Sequence, residues 1–128
     1  MKIYDSEFVR ENGWIYVKLA GKIISSQSTI EEISFEQDKF RKIKIFGDYN
    51  LYEGEFVLSR NDNYGDVFDY YSNLIRGERI EHFRFKENSF LEIEIDRNPK
   101  IRLIIDPENF DLWGDQWEYQ NRNGYWIF

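Results

Sequence analysis

Between residues 80 and 106 apolar and polar positions alternate almost without a break. Phe83 and Phe85, then Leu91, Ile93 and Ile95, then Ile101, Leu103 and Ile105 recur at every second residue. Successive side chains of a strand point to opposite faces, so each set lines one face. Strands are predicted at 80–87, 90–96 and 100–106. Folding the chain about Asn98 sets Ile95 against Ile101, Ile93 against Leu103 and Leu91 against Ile105. The same fold sets Asp96 against Lys100 and Glu94 against Arg102 on the other face. Folding about Asn88 pairs Phe85 with Leu91 and Phe83 with Ile93, and brings Arg84 to Glu92 and His82 to Glu94. Apolar pairs on one side and opposite charges on the other favour antiparallel pairing, at about 0.2–1 kcal/mol per pair.

The rest of the chain carries shorter signals. Ile3, Phe8 and Val9 predict a first strand at 2–10, and Asn12-Gly13 a hairpin turn. Residues 14–24 read as one strand, with Ile15, Val17 and Leu19 on one face and Trp14, Tyr16 and Lys18 on the other. Gly21 marks a bulge or bend. In 25–39, Ser28 and Glu31 resemble a capping box, yet Ile33 and Phe35 fit a strand. The expectation is a strand or an irregular connection. Residues 40–46 predict a strand with Ile43 and Ile45 inward and Lys42 and Lys44 outward. A further strand is expected from about Glu55 through Leu58, or from Leu51 with a bulge at Gly54, and a polar turn at 61–65.

One helix is predicted, over 66–76. Asp66 stands at the N-cap, Gly77 at C′, and Val67, Tyr71, Leu74 and Ile75 form an apolar stripe. Asp106-Pro107 ends the meander, Asn123-Gly124 marks a turn, and 125–128 read as a short last strand. The fold class expected is α+β: a single domain over 1–128, mainly antiparallel sheet, with the helix packed on it.

Composition sharpens this picture. Aromatics make up 19% and hydrophobics 41% of 128 residues, with two prolines, which argues against disorder. The net charge of −7 disfavours nucleic acid and favours a basic partner. No stretch is long and apolar enough for a membrane helix. The chain has no cysteine, which excludes disulfides, thiolate metal sites and a cysteine nucleophile. Residues 1–7, interrupted by Asp5 and Glu7, do not read as a secretion leader, so a cytoplasmic protein is expected.

Catalytic chemistry finds little purchase. No nucleophile-elbow or phosphate-loop motif is present, and His82 is the single histidine. The His82–Glu94 pair can be acid–base machinery, but an outward charge ladder with Arg84, Glu92 and Arg102 explains it more simply. Asp62, Asp66 and Asp69, among Asn61, Asn63 and Gly65, miss the EF-hand spacing and suit turn and cap duties. Asp111 and Asp115 are a carboxylate pair of the kind glycosidases use, but two acids among 24 say little. No catalytic residue, metal site or cofactor is expected.

The segment from Asp106 to Phe128 is the candidate binding surface. Five acids (Asp106, Glu108, Asp111, Asp115 and Glu118) stand against one base, Arg122, a net −4. Rings interleave with them, and Trp113, Trp117 and Tyr119 are expected to be exposed beside the acids. Aromatic anchors among charges describe an interface hot spot. Asp106, Glu108, Asp111, Trp113, Asp115, Trp117, Glu118 and Tyr119 are thus the expected partner-binding residues. The function expected is a non-enzymatic acidic protein that neutralises a basic protein, as an immunity protein does a bacterial toxin. A carbohydrate-binding β domain using Trp and Tyr, a small carboxylate-based enzyme and a subunit of a larger assembly are the alternatives.

Overall fold

The computed structural model describes residues 7–59, 64–86, 90–106, 116–122 and 124–127. Among these run strands β1 (Phe8–Glu11), β2 (Trp14–Val17), β3 (Glu32–Phe35), β4 (Asp38–Ile45), β5 (Asn50–Glu53) and β6 (Phe56–Ser59). Helix α1 (Tyr64–Ile75) follows, then β7 (Arg79–Lys86), β8 (Phe90–Asp96), β9 (Ile101–Ile105), β10 (Trp117–Asn121) and β11 (Gly124–Ile127). The fold is α+β and mostly antiparallel. Seven strands form one sheet in the order β1-β2-β7-β8-β9-β5-β6, and four form a second, β11-β10-β4-β3.

The meander has the predicted register. Phe85 faces Leu91, Phe83 faces Ile93 and His82 faces Glu94 across β7–β8; Ile95 faces Ile101 and Glu94 faces Arg102 across β8–β9. The ladder stops at Ile95–Ile101, so Lys100 does not pair with Asp96 as expected. Its ammonium reaches Glu81 instead, at 2.5 Å.

The two sheets share one core. Phe83 and Phe85 of β7 meet Trp117 of β10 edge-on, with ring centroids 5.4 and 4.8 Å apart, and Tyr119 lies 6.0 Å from Phe83. Such tilted and edge-to-face contacts are preferred ring geometries. Helix α1 adds Tyr71 and Ile75 to the core, with Val67, Phe68 and Leu74 packed against it. It is tied to the 28–30 segment by two hydrogen bonds. The Ile30 amide donates to Ser72 Oγ at 2.9 Å, and Arg76 Nε donates to the Ser28 carbonyl at 2.7 Å.

Several local expectations change. Residues 14–24 are not one strand. After Val17 the chain turns at Gly21, whose φ is +85°, and Ile23 and Ile24 make only isolated bridges, to Arg79 and Phe35. The segment crosses from one sheet to the other there. Ser28 caps no helix. Its hydroxyl accepts from the Ser34 amide and donates to the Ser34 carbonyl, both at 3.0 Å, and so serves strand β3. Gly54 makes a two-residue hairpin turn between β5 and β6 rather than a bulge, with Glu53 opposite Phe56. Helix α1 starts at Tyr64, so Asp66 lies in its first turn and not at the cap, and residues 64 and 65 are helix rather than turn. Gly77 has the positive φ, +80°, expected after a helix end. The predicted segments at 1–6 and 61–63 lie outside the described residues.

Candidate functional site

Strand β10 decides what the C-terminal rings do. Its residues alternate: Trp117, Tyr119 and Asn121 are buried, while Glu118 and Gln120 lie half-exposed. Trp117 is 1% and Tyr119 0% exposed, contrary to the expectation that both are surface anchors. The acids beside them in sequence impose no cost on this burial, because neighbours on a strand point to opposite faces. Glu118 pairs in register with Lys44, and Gln120 with Lys42. Tyr119 donates its hydroxyl to Glu7 Oε2 at 2.6 Å, and Asn121 donates to the same oxygen at 2.8 Å. Arg41 bonds the other Glu7 oxygen. Asp106 follows β9, half-buried. Glu108, Asp111, Trp113 and Asp115 lie outside the described residues. The described part of the expected surface therefore comes apart, with two rings in the core and Glu118 on the small sheet's outer face.

The most organised polar chemistry lies on the face of the large sheet turned away from the small one. One row crosses the strands as Tyr16, Arg84, Glu92, Ile104 and Asn50; the next runs His82, Glu94, Arg102, Tyr52 and Val57. His82 Nε2 lies 2.5 Å from Glu92 Oε1 and His82 Nδ1 lies 3.1 Å from Glu94 Oε2. Carboxylate oxygens only accept, so both contacts are made together only when both ring nitrogens carry a proton. Arg84 comes within 3.2 Å of Glu92 Oε1. Glu92 is only 7% exposed. The hydrogen bond from His82 holds its carboxyl below the usual range, against the upward push of burial and aided by the Arg84 charge.

Cations lie over two rings of this face, Trp14 and Tyr52. The Arg84 guanidinium lies 4.0 Å from the Trp14 ring centroid and the Lys86 ammonium 4.7 Å, while Arg102 lies 4.8 Å over Tyr52. His82, Glu92 and Glu94 are the described residues whose donor atoms converge enough to hold a metal ion. Two cavities of about 350 and 370 Å³ open elsewhere, on either side of Asp38, and neither is lined by the His82 cluster.

A second surface was not anticipated. Phe56 is 63%, Val57 53% and Tyr70 52% exposed. Phe56 and Val57 are neighbours on β6, the last strand of the large sheet, so they point to opposite faces: Val57 ends the open-face row after Tyr52, and Phe56 stands across from Glu53 on the other side. Tyr71 links Phe56 to the helix: its hydroxyl donates to Glu53 Oε2 at 3.3 Å, Glu53 pairs with Phe56, and the Tyr70 ring stands 5.2 Å from that of Tyr71. Glu55 and Asp69 are exposed beside them in sequence. The available signal was the acidic Glu53-Gly54-Glu55 turn just before Phe56, which marks a hairpin tip. Among the described residues no helix is long and apolar enough to cross a membrane. Comparison with protein families, with curated proteins and with solved structures finds no match.

Proposed function

We propose that this chain is a non-enzymatic, acidic binding protein of the cytoplasm that neutralises a basic protein partner, as an immunity protein neutralises a bacterial toxin. The observation that carries this reading is the pair of exposed rings Phe56 and Tyr70 beside Glu53, Glu55 and Asp69. Large apolar groups left in water beside like-signed charges are the composition of a hot spot with a charged rim. The chain's net −7 adds long-range attraction for a cation-rich partner. Phe40 is also exposed, but Arg122 lies 4.6 Å over its ring and Lys39 and Lys42 flank it, so that side is matched to a different charge.

The sugar-binding alternative draws less support. Stacking on a sugar needs a free ring face, and Trp14 and Tyr52 on the large sheet already carry Arg84, Lys86 and Arg102.

The test is co-expression. A gene beside this one is expected to encode a basic toxin domain that arrests growth when expressed alone. Adding this chain should restore growth, and the double variant Phe56→Asp, Tyr70→Asp should not. Phe56→Ala alone should weaken the complex by about 2 kcal/mol, as truncation of a hot-spot ring does. Growth arrest that the wild-type chain leaves unrelieved contradicts the reading.

A further inference from the structure

We propose that His82, Glu92 and Glu94 form a binding site for a divalent ion of the zinc class on the open face of the large sheet. The three residues offer one donor atom each, and these atoms lie within 4.8 Å of one another. Metal–ligand bonds of about 2.0–2.2 Å put the donor atoms of one ion about 3–4 Å apart, so small side-chain rotations close the set.

The backbone already holds the ligands in place. Glu92 and Glu94 are two apart on β8, which turns both to the same face. His82 stands directly opposite Glu94 on β7. Three ligands from two paired strands need no loop to order on binding. An outer shell is present as well: Arg84 lies 3.2 Å from Glu92, Lys100 lies 3.8 Å from Glu94, and the Tyr16 ring stands edge-on to His82 at 6.4 Å. Outer partners of this kind orient ligating carboxylates and imidazoles.

The donor set selects the ion. One imidazole nitrogen with two carboxylates suits Zn²⁺ and similar borderline ions, whereas Mg²⁺ and Ca²⁺ favour oxygen alone. Three protein ligands leave a fourth position for water. The His82 and Glu94 side chains are 24% and 16% exposed, so solvent has access. Without the ion, the imidazole spans both carboxylates. With it, one ring nitrogen ligates the metal instead.

This proposal is independent of partner binding. The chelator-treated protein is titrated calorimetrically with ZnCl2 and, separately, MgCl2, and its visible spectrum is recorded with CoCl2. One Zn²⁺ per chain is expected, bound at least tenfold more tightly than Mg²⁺, with Co²⁺ giving the absorption bands of a four-coordinate nitrogen–oxygen site. His82→Asn and Glu94→Gln should each weaken Zn²⁺ binding at least tenfold. Should His82→Asn fail to fold, the Glu94→Gln variant and the wild-type cobalt spectrum carry the test. No saturable Zn²⁺ binding overturns the proposal, leaving a plain ion-pair cluster. Binding of several ions, undiminished in Glu94→Gln, overturns it equally.

Discussion

Tyr71 illustrates how one residue couples the core to the surface. Its ring is fully buried, and its hydroxyl meets a carboxylate, Glu53. Burial, and then the neighbouring Glu53 charge, push its phenol from 10.0 up to about 12. The folded chain therefore holds this proton more tightly than the unfolded chain. The stabilisation is complete below pH 10 and is lost as pH rises from there towards 12. The urea midpoint of the wild type should fall between pH 9 and 11.5 by more than that of Tyr71→Phe, which has no phenol to ionise. Parallel curves for the two proteins would contradict this assignment. Single residues also mark where sequence reasoning stops. Ser28 looked like a helix cap, but a hydroxyl that can cap a turn can equally satisfy the amide and carbonyl of Ser34. Nothing local chooses between these roles; the position of β3 does.

At the scale of elements, legibility followed sequence distance. The β7–β8–β9 register was readable because apolar pairing and charge pairing agree about one turn centre for each hairpin. The Asn12-Gly13 hairpin was readable because both residues take the positive φ that such a turn demands. The partnership of β4 with β10 was not, since no turn joins them and their register is set only when the two sheets close. The candidate metal cluster divides the same way. His82 against Glu94 follows from register, whereas the reach of Glu92 to His82 and the stacking of Arg84 on Trp14 depend on rotamers and on β2 lying beside β7. The alternation Trp117, Glu118, Tyr119, Gln120 is nonetheless a strand pattern, and it outweighs the argument from neighbouring acids. With Trp117 buried between the sheets, Trp117→Ala should cost about 3–5 kcal/mol in denaturant unfolding. A loss under 1 kcal/mol would mean that the ring is not core.

On the scale of the whole molecule, the two sheets sort chemistry by surface. The small sheet's outer face carries Lys42 and Lys44 against Glu118 and Gln120. The large sheet's open face carries the His82 network with its cation-covered rings. Its last strand, with α1, leaves apolar groups in water beside acids. On the function proposed above, this last surface is where a basic partner would gain both apolar burial and charge pairing. The most direct measurement compares three baits in lysate of the native organism at low salt, read by quantitative mass spectrometry. These are the wild type, the Phe56→Asp, Tyr70→Asp double variant, and Phe40→Asp as a control on the basic side. The account predicts that the wild type and Phe40→Asp recover one basic protein in near-equal amount and that the double variant loses it. Equal recovery by all three baits, or a wild-type bait that recovers no basic protein, would contradict it.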